Sequence, residues 1–372
     1  MNQKLAIIII VVAVIIVGSL IYVLGLGNTN SSSEGTVSIT DMAGRTVQIP
    51  DKVNKVIGTG CSGREIVYLD AAEKMVGIEQ IESNSTGGWG DQLPYMIVHP
   101  ELFKLPIIGN ARTGTVNYEK IVEVKPDVIF TANAQQAEDI QSKTGITTVV
   151  VYVGAVGTAE QMDDYKKSLK LMGDILGREN RAEELINYIN SCEEDLANRS
   201  KNADKKETVY IAGQAFKGTH GITSTNPYYP SLRMLNANNV VKDINNVNAT
   251  INAVQIDKEQ LIKWDPDIIF VEGGSIPMIK EEMSKNPDYQ NINAIKQRKI
   301  YGLLPYCLYS YNKDNMLANA YYIGKIIYPE QFKDINPEEK ANEIFTEFYG
   351  NSGAQVYPAL KEKYGGFNQL NL

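Results

Sequence analysis

Histidine and cysteine are scarce in this chain of 372 residues, which contains two histidines and three cysteines. The cysteines show no C-x-x-C spacing. Because structural zinc sites are built from clustered histidine and cysteine, no zinc site of this kind is expected. The cysteines allow at most one disulfide, and nothing in their spacing requires one. They are Cys61, Cys192 and Cys307.

An excess of positive charge is also missing, since 36 lysines and arginines face 44 aspartates and glutamates, a net charge of -8. This balance argues against nucleic acid as the main partner. The signatures G-x-S-x-G and H-E-x-x-H do not occur, and no pair of carboxylates has an evident acid–base context. An anchored extracellular enzyme is therefore the weaker functional hypothesis.

One long apolar segment is present at residues 5–27, directly after Lys4. It contains no charged residue and is long enough to cross about 30 Å of hydrocarbon. No small-residue cleavage site is evident, and no cysteine near its end offers a site for lipid attachment, so a removable signal peptide is not indicated. We expect a transmembrane signal-anchor over residues 1–27, with the bulk of the chain outside the membrane, and a flexible polar tether over 28–36.

Beyond the tether, short strand patterns alternate with helix patterns. The segment VSITDMAGRTVQIPD alternates apolar and polar residues around Gly44 and predicts a short hairpin. From there the order strand, helix, strand recurs. Units of this length predict mainly parallel sheets flanked by helices, the α/β class.

One segment of the chain occurs twice. Residues 118–130 read YEKIVEVKPDVIF and residues 258–270 read KEQLIKWDPDIIF, with five of thirteen positions identical. Each copy predicts a helix that ends before a proline and a buried strand after it. Two copies separated by 140 residues do not make a solenoid, so they indicate equivalent units in two similar α/β lobes.

The region between the repeats is helical in pattern. Thr158 and Gln161 form a capping box, and apolar residues then recur at helical spacing. After Gly177 the pattern resumes for about 35 Å of helix, enough to join two lobes. Because a helix resists bending, we expect the lobes to move little. The predicted organisation is an N-terminal lobe over 37–177, a linking helix over 178–200 and a C-terminal lobe over 201–372.

These features resemble the solute-binding receptors of ABC importers for iron–siderophore complexes, haem and cobalamin, in which one long helix joins two α/β lobes. The resemblance rests on ITDMAGRTVQIPDKVNKVI, the two P-D-[VI]-I-F segments, NVVKDI at 239–244 and the linking helix. It implies a monomer that captures a metal chelate outside the cell and delivers it to a membrane permease, with no cofactor of its own. The predicted anchor is a departure, since many relatives are free periplasmic proteins or lipoproteins.

Two alternatives stay open at this point. The same fold could bind a small oxyanion such as molybdate or tungstate, which needs a small pocket rich in donors, whereas the 21 tyrosines favour a wider aromatic site. The other alternative is a surface sensor without transport. Against it, only a few residues precede the apolar segment, which leaves no room for a cytosolic output domain.

Ligands of open α/β sheets bind beyond the carboxyl ends of the strands, so the cleft between the lobes is the expected ligand site. Arginine fits the carboxylate or phosphate groups of a chelate, aromatic rings can stack on a macrocycle, and amides at a helix start favour anions. Loop packing, surface and core roles remain alternatives for each residue. The candidate cleft residues are Cys61, Arg64, Trp89, Arg112, Lys217, His220, Tyr228, Tyr229, Tyr306 and Tyr309.

The repeat also places two glutamates at equivalent positions. Asn117 and Asp257 suit the N-cap, which puts Glu119 and Glu259 in the first turn of each helix. There each carboxylate complements the helix dipole, worth about 0.3–1 kcal/mol, and this explains either position by itself. In relatives of the family a glutamate at this position of each lobe docks to the transporter. The resemblance therefore implies that Glu119 and Glu259 bind a two-fold symmetric permease dimer.

Overall fold

The structure is a computed structural model that describes residues 35–203, 207–214, 218–242, 244 and 253–372. The predicted anchor at 1–27, most of the tether and the candidate residue Lys217 lie outside the described residues. Across the described part of the chain, no helix combines the length and the apolar composition that crossing a bilayer requires.

The N-terminal lobe begins with the predicted hairpin, in which β1 (Thr36–Thr40) pairs with β2 (Thr46–Pro50). Gly44 turns the chain between them with a φ of 75°, which glycine adopts without a steric penalty. Six further strands follow: β3 (Val56–Gly58), β4 (Ile78–Glu79), β5 (Ile107–Asn110), β6 (Thr115–Val116), β7 (Val128–Thr131) and β8 (Thr148–Val150). They form a parallel sheet in the order β3-β7-β8 and a mixed sheet in the order β4-β5-β6.

The helices of this lobe are α1 (Gly63–Tyr68), α2 (Pro94–Val98), α3 (Tyr118–Val124) and α4 (Ala134–Thr144). Two of them, α3 and α4, begin at capping asparagines. In α4, the side chain of Asn133 accepts a hydrogen bond from the amide of Gln136, and Gly145 ends the helix with a φ of 71°.

Two long helices connect the lobes, α5 (Ala159–Leu176) and α6 (Glu179–Ser200). The predicted capping box of Thr158 and Gln161 starts α5. At the start of α6, Arg178 pairs with Glu73 of the N-terminal lobe at 2.6 Å. At its end, Arg199 pairs with Asp334 of the C-terminal lobe at 2.7 Å. Helix α6 thus contacts elements of both lobes.

The C-terminal lobe contains a four-stranded parallel sheet and a separate two-stranded pair. The strands of the lobe are β9 (Thr208–Ala212), β10 (Ser224–Thr225), β11 (Asn238–Asn239), β12 (Val254–Gln255), β13 (Ile268–Glu272) and β14 (Ile300–Leu303). The parallel sheet has the order β11-β9-β13-β14, and β10 pairs with β12 in antiparallel fashion. The helices are α7 (Pro230–Met234), α8 (Lys258–Trp264), α9 (Ile276–Lys285), α10 (Asn293–Lys296), α11 (Lys313–Ile327), α12 (Pro337–Tyr349) and α13 (Val356–Tyr364).

One helix start differs from the prediction. The sequence predicts a helix with Pro227 in its first turn, whereas α7 begins at Pro230 and Tyr229 is its N-cap residue. Pro230, rather than Pro227, occupies the first helical position, where the absence of an amide hydrogen does no harm. Tyr228 and Tyr229 therefore precede the helix instead of lying within its first turn.

The two repeats fold alike. Helices α3 and α8 both end at a residue with left-handed backbone, Lys125 with φ 51° and Asp265 with φ 44°. The aspartate after each proline then binds the strand next to its own. Asp127 accepts hydrogen bonds from the amides of 54 and 55 at 2.7 and 2.9 Å, and Asp267 accepts from the amide and hydroxyl of Thr208 at 2.8 Å each. The repeated Pro-Asp segment thus positions the central strand of each parallel sheet.

A shared hydrophobic core holds the lobes together. One cluster of buried side chains includes Val56 and Phe130 of the first lobe and Phe270 and Leu303 of the second. The ring of Tyr68, in α1, meets that of Phe348, in α12, edge to face at 4.7 Å. Because the last helices pack on both lobes, the sheets face each other across a narrow cleft.

Candidate ligand cleft between the lobes

A cavity of about 160 Å³ lies between the lobes, and we call it the interlobe cavity. The N-terminal lobe contributes Trp89 and Gln92 to its wall. The C-terminal lobe contributes residues that follow the carboxyl ends of β13 and β14, together with a segment after β9 and the end of α13. These are Gly218, Thr219, Glu272, Gly274, Ser275, Pro305, Leu308 and Tyr364. The cavity therefore occupies the position that parallel sheets favour for ligands.

Glu272 ends the central strand β13 and is 1% exposed. Its carboxylate accepts one hydrogen bond on each oxygen, from the Tyr229 hydroxyl to Oε1 at 2.7 Å and from the Tyr306 amide to Oε2 at 2.8 Å. Burial raises the pKa of Glu272 to about 7, although these two hydrogen bonds favour its ionised form. Glu272 is thus an ionisable group at the cavity wall that titrates near neutral pH.

Trp89 forms the opposing wall and is half-buried. Its amide donates to the carbonyl of Ile81 at 2.7 Å, and the guanidinium of Arg112 lies 4.0 Å from the centre of its ring. Gly88 precedes it where a Cβ atom would come within 2.0 Å of the Ser83 carbonyl, so the turn that presents Trp89 requires glycine. Two residues predicted separately, Trp89 and Arg112, therefore contact each other beside the cavity.

Direct contacts hold the lobes together next to the cavity. Lys363 Nζ lies 2.6 Å from a carboxylate oxygen of Asp91, and the Tyr364 hydroxyl donates to Gln92 Oε1 at 2.8 Å. Both contacts join α13 to the short helical turn after Trp89. They keep the cavity wall continuous from one lobe to the other.

Three other predicted residues form a second contact between the lobes. Arg64 is fully buried, and its guanidinium donates to the carbonyls of Tyr309 and Tyr311 at 2.6 and 3.2 Å. The amide of Cys61 donates to the Tyr309 hydroxyl at 3.2 Å, and that hydroxyl also binds Glu79. The structure thus places Arg64, Cys61 and Tyr309 in a buried seam between the lobes, where their hydrogen bonds are made to protein groups.

The remaining predicted residues lie behind the wall or near it. Tyr229 and Tyr306 are buried, contact each other edge to face at 5.5 Å, and hold Glu272. Tyr228 is half-buried, with its amide bound to Asn226 Oδ1 at 2.8 Å. The amide of His220 donates to Ser275 Oγ at 3.3 Å, next to the cavity. Of the ten predicted cleft residues, Trp89 is the one among the described residues that lines the cavity itself.

Sequence reasoning did not single out Glu272. The signal was available, because aligning the repeats sets Ala132, which follows β7, opposite Glu272, the last residue of β13. It also missed the fully buried pair Glu65 and Lys313, at 3.7 Å, since charged residues are rarely expected in a core. Burial lowers the pKa of Lys313 to about 8, against the attraction of Glu65.

The two glutamates of the repeats are exposed, each in the first turn of its helix. Asn117 caps α3 as predicted, its side chain accepting from the amide of Lys120 at 3.0 Å. Asp257 occupies the N-cap of α8 but makes no side-chain capping bond. No group of three or more histidine, cysteine, aspartate or glutamate side chains within the described residues is arranged to hold a metal ion.

Two α/β lobes with parallel sheets, a linking helix and a cavity at the strand ends define a solute-binding protein. A sequence profile of the periplasmic binding protein family matches residues 58–306, and the chain belongs to this family. It is a substrate-binding protein of the type that serves ABC transporters. Proteins of this family bind a solute rather than catalyse a reaction, and they carry no cofactor of their own.

The relatives differ in the ligands that their names state. The molybdate-binding protein MolA of Haemophilus influenzae is 26% identical over 84% of this chain and 91% of its own. The Fe(3+)-citrate-binding protein YfmC of Bacillus subtilis is 25% identical over 50% of this chain and 56% of its own. The MolA structure with molybdate superimposes with a TM-score of 0.64, covering 84% of this chain and 98% of that one, at 23% identity.

A third similar structure is the triscatecholate siderophore binding protein FeuA of Bacillus subtilis with ferri-bacillibactin. It superimposes with a TM-score of 0.55, covers 78% of this chain and 98% of its own, and is 19% identical. At these identities the structural likeness establishes the shared fold. The shared fold does not identify the ligand, which depends on the residues that line the cavity of this chain.

Proposed function

We propose that this protein is the membrane-anchored extracellular receptor of an ABC importer and that it captures a compact metal chelate in the interlobe cavity. The observation that carries this proposal is the cavity itself, enclosed by both lobes at the carboxyl ends of β13 and β14. A solute held there contacts both lobes at once, so its binding stabilises the closed arrangement that a permease recognises.

The size of the cavity supports a compact ligand. Pockets for drug-sized molecules measure about 300–1,000 Å³, and the interlobe cavity measures about 160 Å³. The linking helix and the Lys363–Asp91 pair restrict how far the lobes can separate. The haem and corrinoid ligands that the sequence allows are therefore less favoured than a small ferric chelate, such as the ferric citrate in the name of one relative.

A small oxyanion is the second candidate, because the relative MolA is named for molybdate and its similarity covers most of this chain. An oxyanion requires a wall rich in hydrogen-bond donors and positive charge. Among the described residues that line the cavity, none is lysine or arginine, and one is the glutamate Glu272. This lining weighs against the oxyanion.

For delivery, we propose that Glu119 and Glu259 dock to the permease. Both carboxylates are exposed at the start of equivalent helices, one in each lobe. A two-fold symmetric permease dimer offers one equivalent pocket to each of them. The apolar segment at 5–27 serves as the anchor that keeps the receptor beside that permease.

Native mass spectrometry of the protein purified from its own host tests the proposal. The expected result is a bound species with the isotope pattern of a metal, lost when the protein is unfolded. Titration of the metal-free protein with ferric citrate and with molybdate then ranks the two candidates. A bound molybdate ion, together with no response to ferric citrate, would replace the chelate by the oxyanion.

A further inference from the structure

Glu272 is a buried carboxylate that accepts hydrogen bonds from neutral donors, and no cation of the described residues pairs with it. Its two protein partners are the hydroxyl of Tyr229 and the amide of Tyr306, both uncharged donors. By contrast, the buried carboxylate of Glu65 faces Lys313 at 3.7 Å. Removing a carboxylate from water without a compensating charge is strongly unfavourable, so buried carboxylates are normally paired or protonated.

Among the residues that the structure describes, those with electrostatic contact to Glu272 are uncharged. Four ionisable side chains interact electrostatically with Glu272. They are Tyr229 before α7, Tyr306 and Cys307 after β14, and Tyr364 of α13. Burial raises the pKa of each of these four groups, so all of them are neutral at physiological pH. The missing positive charge is therefore not supplied by any of these neighbours.

The carboxylate also has unused capacity. An ionised carboxylate offers about four acceptor positions on its two oxygens, and the protein fills one on each oxygen. Carboxylate oxygen is a preferred donor for hard metal ions. A carboxylate that is held in place, uncompensated and at the wall of a cavity is arranged for a positive partner inside that cavity.

We propose that Glu272 binds the positive centre of the captured ligand, the metal ion presented by the chelate, and so determines which class of solute the cavity accepts. This inference rests on the proposed function, since it assumes that the interlobe cavity is the ligand site. The carboxylate oxygen takes one coordination position of the metal, from which a water molecule leaves. The proton that Glu272 carries in the empty protein leaves to solvent.

Binding is then linked to pH in a defined direction. With the pKa of Glu272 raised to about 7 by burial, the empty protein carries a proton there in acid. A metal centre that binds the carboxylate must displace that proton, so the affinity of the chelate rises by about tenfold per pH unit up to about pH 7 and levels off above it. An oxyanion would show the opposite trend, because it binds better beside a neutral carboxyl group than beside a carboxylate.

The test uses the full-length chain in detergent with Trp264→Phe, which leaves Trp89 at the cavity wall as the reporting tryptophan. Gallium(III) citrate, which is not paramagnetic, and molybdate serve as probes in fluorescence titrations. Glu272→Gln keeps the shape and removes the charge. Glu282→Gln is the matched control, because Glu282 also accepts from a tyrosine hydroxyl and a backbone amide, of Tyr289 and Ile222, but does not line the cavity.

We expect Glu272→Gln to weaken gallium citrate binding by roughly 30-fold, the lower range for removing one partner of a buried charge pair. The variant should also lose the dependence on pH, while Glu282→Gln should bind like the parent. Unchanged affinity in Glu272→Gln, or tighter binding of molybdate than of gallium citrate, overturns the inference alone. If the fluorescence of Trp89 changes with neither probe, the proposed site is refuted, and the inference with it.

Should Glu272→Gln fail to fold, the parent protein still decides the matter. Its gallium citrate affinity is then measured between about pH 5.5 and about pH 8, the range that brackets the titration of Glu272. A rise that levels off near neutral pH supports the inference. A flat profile, or a fall with increasing pH, overturns it.

Discussion

The two repeats share a backbone but differ in what they present to the cleft. In both, a seven-residue helix ends in a left-handed residue, and the aspartate after the proline binds the neighbouring strand. Directly after the central strand the similarity ends. The first repeat continues with the exposed Ala132, and the second ends at the buried Glu272.

This comparison separates scaffold from site. In each lobe the Pro-Asp segment positions a parallel strand inside the sheet, which explains why the same residues occur in both copies. The residues at the strand ends do not have this role, and they differ between the lobes. On the outer surface the repeats agree again, since Glu119 and Glu259 occupy equivalent positions.

The largest effect should come from removing both of these surface glutamates. Replacing both Glu119 and Glu259 by alanine should reduce uptake by roughly 30-fold, as expected when two contacts of about 1 kcal/mol each are lost from an interface. Each single replacement should have an intermediate and similar effect, since the positions are equivalent. Stimulation of the permease ATPase in proteoliposomes, and ligand affinity of the isolated receptor, are the measurements.

The control for this experiment is the pair Glu123→Ala and Glu281→Ala, which removes two exposed helix glutamates outside the first turns. Uptake and ligand affinity should stay at the level of the unaltered protein. Full uptake by the Glu119 and Glu259 variant would show that these residues only complement their helix dipoles.

The second prediction compares the two aspartates of the repeats. Asp267→Ala should lower the free energy of unfolding by about 3 kcal/mol, because it removes charge-assisted bonds to Thr208 and to Asn293 Nδ2. Asp127→Ala should have a smaller effect, since Asp127 accepts from two amides at a more exposed site. Urea denaturation measures the free energy of unfolding of both variants. Equal decreases would show that the two aspartates stabilise their sheets to the same extent.

The same contacts determine how acid acts on Asp267. Burial alone would raise its pKa, but the hydrogen bonds from Thr208 and Asn293 outweigh burial and lower the pKa. Its stabilising contribution is therefore present above the pKa of the unfolded chain and is lost as the pH falls through the lower folded value. In Asp267→Ala the decline of stability in acid should be shallower, which urea denaturation at about pH 3 and about pH 5 checks.

Glu272 should show the opposite dependence. Its folded pKa of about 7 lies above the value near 4.3 of an unfolded chain, so the empty protein is most stable below the unfolded value and loses stability as the pH rises through 7. Between about pH 5.5 and about pH 8 this amounts to about 2 kcal/mol. Glu272→Gln should remove that part of the decline. An unchanged slope in thermal unfolding would contradict the titration.

The position of the lobes should change little on ligand binding. The linking helix, the Lys363–Asp91 pair and the buried contacts of Arg64 all join the lobes in the structure. Small-angle scattering with and without ligand should give nearly superimposable curves. A clear decrease in the radius of gyration would indicate a hinge that these contacts do not provide.

The smallest effect is expected from removing residues 1–35. The hydrophobic core of the lobes begins at Val47, so the deletion leaves their packing intact. The shortened protein should remain folded and monomeric without detergent, with the circular-dichroism spectrum of its helices preserved. Aggregation of the shortened chain would show that the apolar segment does more than anchor the protein.

The sequence by itself determined much of the scaffold. The hairpin at Gly44, the caps at Thr158, Asn117 and Gly145, and the repeated Pro-Asp segments are local features, and the structure has each of them. Local backbone preferences and hydrophobic periodicity suffice for such elements, because the interactions that define them span a few residues. The start of α7 was the exception, since two prolines competed for one helix start.

Which residues meet in the cleft was determined only by the tertiary structure. Arg64 and Tyr309 are separated by more than two hundred residues, and their meeting in a buried seam depends on how two complete lobes pack. The burial of Glu272 between the neutral donors Tyr229 and Tyr306 is likewise a property of the assembled wall, because these residues are distant in the sequence. Long-range packing, which brings the carboxyl ends of distant strands together, determines what a strand-end residue faces.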